Sequence, residues 1–165
     1  MATHHAQAVE MSFVVRDKSS DASLRTIAYD IIVTQSTQRG VYMGWLQAWG
    51  LPQTSTLPRM AWMPGHEHMT PAADGAPLMH GMASDEELRR LQAAQGVDAE
   101  VLFLQLMIRH HEGGVIMANA VAGLTESAAV LGAANSIQST QRAEISAMTE
   151  MLAARGARPY PSLLE

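Results

Sequence analysis

Twice in this chain a methionine is followed, three residues on, by two adjacent histidines. Met107-Ile108-Arg109-His110-His111 lies in an apolar run that continues to Met117, and Met1-Ala2-Thr3-His4-His5 leads on to Met11. On a helix, at about 100° per residue, side chains three and four apart share a face. Met107, His110, Gly114 and Met117 therefore form one stripe, and Met1, His4, Ala8 and Met11 form its counterpart, with His111 and His5 on the adjoining flank. A thioether beside an imidazole is a borderline-to-soft ligand set, which suits copper, above all Cu(I), better than magnesium, calcium or manganese. The expected metal ligands are thus His4, His5, His110, His111, Met11, Met107 and Met117.

The segment from 60 to 82 adds the same chemistry: Met60, Met63, His66, His68, Met69, Met79, His80 and Met82. Of these, Met79, Met82, His66 and His68 are carried as further candidate ligands. With no cysteine in the chain there is no thiolate, disulfide or iron–sulfur ligand, so a metal must use His, Met or carboxylate. Gln38 and Gln141 sit within otherwise apolar stripes, and with Glu144 they are expected to orient the imidazoles. A simple polar pair that holds helix register explains the glutamines equally well. One histidine pair alone is more often a satisfied core or surface pair, and methionine stripes usually serve packing. Two copies of a costly buried pair shift the balance towards metal.

Helices must position these groups. Periodicity and punctuation predict a first helix from about Ala2 to Val15, then the turn "DKSSD". A second helix carries Leu24, Ile27, Ile31, Tyr42, Trp45 and Trp49 near one face until Gly50 and Pro52. Residues 51 to 83 hold five of the seven prolines and break the pattern. "SDEELRR" from Ser84 is a helix start, with Glu87 at the capping-box position, and this short helix should end near Gly96. Two long helices follow, from about Asp98 to Ala122 and from about Glu126 to Ala154. The run from Val101 to Ile108 predicts burial on most sides of the first of them.

"QSTQR" at 35–39 recurs at 138–142, each time in the helix after a histidine pair. With the repeated Met-x-x-His-His motif this reads as two helical hairpins, about 1–50 and about 97–156, joined by a Met/His/Pro-rich connection at about 51–96. The expected fold is an all-α four-helix bundle in a single domain, 1–165. A pseudo-twofold axis would bring His4 and His5 towards His110 and His111.

Bulk composition agrees. Of 165 residues 47% are apolar, 5% aromatic and 16% charged, as expected for an aliphatic, methionine-rich helical interior. A net charge of -5 and dispersed arginines exclude a nucleic-acid surface. No run approaches the ~20 apolar residues of a membrane span, and "MATHHAQAVEM" carries no visible signal peptide.

At these residues the chain resembles a bacterial family known as domain of unknown function 305. The resemblance rests on "FLQLMIRHHEGGVIMA", preceded by "MHGMASDEELRRLQAAQG" and followed by "IQSTQRAEISAM", and covers nearly the whole chain. It implies a ferritin-like four-helix bundle, periplasmic or secreted, with copper handling as its attested role. His4, His5, Met11, His110, His111 and Met117 match the paired motifs, and Met79 and Met82 match the loop element. Glu100 stands where the family has aspartate, and Gly114 where it has alanine. The first helix opens on its own motif methionine.

The function expected is a copper-binding bundle that sequesters or passes on the ion, without turnover. A ferritin-like di-iron protein would need Glu-x-x-His on facing helices, which the chain lacks. "HHEGG" is likewise not the His-Glu-x-x-His of a zinc hydrolase. The alternative from another class is a structural or interaction module with core histidines and no metal. An apolar face on a first helix that starts so late predicts a homodimer that covers it.

Overall fold

The computed structural model describes residues 1–54, 60–63 and 79–164. Among these residues the protein forms five helices and no strand: α1 (Ala2–Lys18), α2 (Ala22–Ala48), α3 (Asp85–Ala93), α4 (Gly96–Ala122) and α5 (Ala128–Ala154). The hairpins α1–α2 and α4–α5 are each tightly paired, and α1 packs across α4 to join them. Short α3 rests against α1 and α4.

Local chemistry explains the boundaries. Asp21 accepts from the Leu24 amide at 2.9 Å and starts α2; Ser127 does the same for Val130 in α5. Ser84 and Glu87 close the capping box expected from "SDEELRR". At the other end of α3, Lys18 donates to the carbonyls of Leu91 (3.2 Å), Gln92 and Ala94 (2.7 Å). A cation at a helix C-terminus satisfies carbonyls that have no intrahelical partner.

Helix α4 is the axis of the structure, buried along most of its length from Ala99 to Ala118. Phe103, Leu104, Leu106 and Met107 pack with Met11, Val15, Leu24 and Ile31 of the first hairpin and with Met148 and Leu152 of α5. Burying each such side chain contributes about 1.5–3 kcal/mol. The apolar face of α1 is covered within the chain: Ala8, Met11 and Val15 are wholly buried. The reason for expecting a second copy to cover that face is thereby removed.

The end of the bundle away from the histidines is tied by a buried carboxylate. Glu100 accepts from Ser19 Oγ at 2.5 Å and from Arg155 Nε at 2.8 Å, and Arg155 also reaches Asp21 at 3.1 Å. The α1–α2 turn, α4 and the end of α5 meet there.

Candidate metal centre

The crossing of α1 over α4 sets four imidazoles together inside the bundle. His4, His5, His110 and His111 are all wholly buried. The rings of His4 and His110 stack at 3.7 Å between centroids, with 28° between planes. His5 lies 6.4 Å from His4, and His111 lies 6.3 Å from His110. The two pairs thus present the central stacked rings and two flanking ones, as adjacent positions on two crossing helices require.

Hydrogen bonds decide which nitrogens are left. His4 Nε2 donates to the His80 carbonyl at 3.0 Å, and His111 Nε2 donates to Glu144 Oε2 at 2.8 Å. Each of these rings, when neutral, therefore carries its lone pair on Nδ1. Those two Nδ1 atoms, and both ring nitrogens of His5 and of His110, have no hydrogen-bond partner in the protein. Gln38 lies close enough to His5 to favour its cation slightly, without hydrogen-bond geometry. Burial holds His4 and His110 well below the usual imidazole range and takes His5 down to about 3. These three rings are accordingly neutral near pH 7, the form that binds metal.

Sulfur is arranged differently from the two stripes expected. Met11 and Met107 pack within the main aliphatic core, whereas Met60, Met79 and Met117 form a separate buried cluster against which Met1, Met63 and Met82 also pack. The thioethers of that cluster come from the residue that caps α1, from α4 and from both described parts of the connection. Met1, Met60, Met79 and Met117 also line a cavity of 710 Å³, with Tyr42, Trp45 and Trp49 along its wall. Met60 and Met63 were no more prominent in the sequence than other soft donors of the connection; only their packing singles them out. His66 and His68 lie outside the described residues.

The segment 79–84 is seated by close backbone approach. Gln7 accepts from the Ala83 amide at 2.8 Å and donates to its carbonyl at 2.9 Å. On the opposite side, a Cβ at Gly113 would stand 2.0 Å from the His80 carbonyl oxygen. Gly81, at φ +73°, turns against the Arg109 carbonyl, where a Cβ would stand 2.2 Å away. Neither Gln7 nor Gly81 was singled out from sequence. The "HHAQ" and "HHEG" versions of the motif differ at this place, which was the available signal.

The glutamines do not repeat as their sequence does. Gln141 is buried with its Oε1 unpartnered, beside Gly114, where a Cβ would meet that oxygen at 2.1 Å. An alanine at 114 would require the Gln141 amide to shift. In the first hairpin it is Gln35, not Gln38, that is buried, and both of its amide atoms lack a partner. Among the described residues no three His, Asp or Glu side chains form a ready metal cage. The buried carboxylates are engaged elsewhere: Glu100 as above, and Glu112 by Ser162 Oγ at 2.9 Å and the Leu163 amide at 3.0 Å.

Comparison with known proteins agrees with this architecture. The family model described as "Domain of unknown function (DUF305)" matches residues 1–152. A putative secreted DUF305 protein from Streptomyces coelicolor is 42% identical, with a TM-score of 0.87 over 98% of this chain and 92% of that one. A DUF305 fragment from Deinococcus radiodurans is 32% identical, with a TM-score of 0.76 over 93% and 91%. CopM in its Cu(II)-bound form is 25% identical, with a TM-score of 0.70 over 93% and 91%. Among curated proteins no match is found.

Proposed function

The chain belongs to the DUF305 family, and on that premise we propose that it binds copper between its paired histidines and the adjoining methionine cluster, holding or passing on the ion without turnover. The observation that carries this reading is the set of six buried imidazole nitrogens without a partner. Leaving a buried polar atom unsatisfied costs roughly 1–3 kcal/mol, so a metal that engages several of them is favoured by the protein's own design. His4 and His111 offer Nδ1, with Nε2 held by His80 and Glu144; His5 and His110 offer either nitrogen. The thioethers of Met60, Met79 and Met117 supply the soft donors that select Cu(I) over harder ions.

The copper-bound CopM structure supports the choice of metal, and similarity to a secreted protein of the same family supports a periplasmic or secreted location. No described helix is long and apolar enough to cross a membrane. The carboxylates that a di-iron site would require are already engaged by Ser19, Arg155, Ser162 and Leu163.

A Cu(I) titration against a competing chromogenic chelator tests the proposal. Wild-type protein should take the ion from the chelator, and His110→Ala combined with His111→Ala should lose most of the tight binding while remaining helical. Met60→Leu with Met117→Leu should weaken Cu(I) more than Cu(II). Undiminished affinity in the histidine variant would overturn the assignment.

A further inference from the structure

A row of aromatic rings runs from the histidines to the surface along α2. His5 and Tyr42 are 5.8 Å apart between centroids, Tyr42 and Trp45 are 5.6 Å apart, and Trp45 and Trp49 are 5.9 Å apart and stacked at 27°. Positions 42, 45 and 49 are three and four residues apart, so one helix face carries all three rings. The row starts at a wholly buried imidazole and ends at an indole that is 53% exposed.

Resting on the copper reading above, we propose that Tyr42, Trp45 and Trp49 are an electron path between a metal held at His5 and one-electron oxidants or reductants at the surface. The imidazoles themselves are closed off from solvent, so a soluble redox partner cannot touch the ring nitrogens that would hold the ion. Copper held by imidazole and thioether has two accessible oxidation states, and the row offers an electron a route between those nitrogens and the surface. Successive π systems near van der Waals contact carry an electron more readily than the aliphatic side chains that fill the rest of the core. The Tyr42 hydroxyl is buried with no hydrogen-bond partner among the described residues.

The step is a simple outer-sphere transfer. With copper held at His5, the row would carry one electron from it to an acceptor lying against Trp49, Cu(I) going to Cu(II) as the acceptor is reduced by one unit. No bond forms or breaks and no proton moves. A one-electron reductant at the same indole reverses it.

Two measurements test the path, one with metal and one without. The Cu(I)-loaded protein is mixed with tris(phenanthroline)cobalt(III), a substitution-inert one-electron oxidant, in stopped flow. Trp45→Leu, Trp49→Leu and Tyr42→Leu should each slow oxidation by about tenfold or more, equivalent to about 1.4 kcal/mol of barrier. Their Cu(I) affinities and midpoint potentials should stay at the wild-type values. Trp62→Leu removes an exposed indole outside the row and should leave the rate unchanged. In metal-free protein, tryptophan is oxidised by azide radical in pulse radiolysis. The resulting indolyl radical should regain an electron and a proton as Tyr42 loses both, in a first-order step that Tyr42→Phe abolishes.

Wild-type oxidation rates in the copper-binding Trp45→Leu and Trp49→Leu proteins would overturn the path. So would tyrosyl radical yields unaffected by Tyr42→Phe. Radical transfer through Tyr42 in a protein that binds no copper would overturn the metal terminus and, with it, the copper reading, while retaining the conducting row.

Discussion

Gln7 and Gly113 each stand two residues after a histidine pair, and they hold opposite sides of one segment. Gln7 grips the Ala83 backbone through both its amide oxygen and its amide nitrogen, whereas Gly113 leaves the space that the His80 carbonyl occupies. The same place in a repeated motif thus serves as a clamp in α1 and as a slot in α4. Between them they hold the segment whose His80 carbonyl accepts from His4.

Filling the slot should therefore unseat the segment. Gly113→Ala puts a methyl group 2.0 Å from a carbonyl oxygen, and overpacking of this kind costs about 1–3 kcal/mol. The expected result is a helical protein with a lower denaturation midpoint and weakened Cu(I) binding, read by urea unfolding and by the chelator titration. Gln7→Leu should cost more, because it leaves both the Ala83 amide and the Ala83 carbonyl without partners at roughly 1–3 kcal/mol each.

Acid should destabilise the metal-free protein earlier than its carboxylates alone require. Burial holds His4, His5 and His110 below the ordinary imidazole pKa of 6.5 in the folded protein, so the unfolded chain binds protons that the native protein refuses. The stability they contribute is fully present above about pH 6.5 and is lost as pH falls through the window below it, reaching about 3 for His5. Each such histidine contributes a slope of about 1.4 kcal/mol per pH unit within that window. Urea unfolding between neutral pH and mild acid checks this; a flat profile there would contradict neutral buried imidazoles. Bound copper should flatten it.

Glu144→Gln keeps the shape of the contact with His111 Nε2 and removes the charge. Partners of this kind fix the tautomer and raise ligand basicity, and their loss costs about 10–100-fold in metal affinity. The affinity for Cu(II) measured by competition should fall in that range, with little change in the helical circular dichroism.

Glu100→Ala separates stability from the site. It strips a buried carboxylate from Ser19 and from Arg155, whose side chain is only 11% exposed. Breaking such a pair costs about 3–5 kcal/mol, and the remaining Arg155–Asp21 contact should bring the loss towards about 3 kcal/mol. Thermal unfolding should show the loss, while the copper affinity of the folded fraction stays at the wild-type value.

The sequence by itself determined the helices and the duplicated chemistry. Apolar period, the "DKSSD" turn, the Ser84 cap and the Gly50 and Pro52 stop are local signals, since a helix is closed by residues three and four apart; observed ends differ from the expected ones by no more than about three residues. The His-His pairs were likewise legible, and their burial followed from their place in apolar stripes. Where the sulfurs pack was legible only in part: Met79, Met82 and Met117 were named as donors, whereas Met60 was one of several methionines of the connection. Met11 and Met107 share a helix face with His4 and His110, yet the crossing of α1 over α4 turns those sulfurs into the aliphatic core. The same crossing, together with the seating of residues 79–84 on Gln7 and Gly113, gathers Met60, Met79 and Met117 from three separate stretches. Gln35 and Gln141 tell the same story: identical pentapeptides, different buried glutamines. Spacing along one helix settles which side chains share a face, whereas what that face meets depends on the angle and depth at which another helix packs, and no local pattern encodes that.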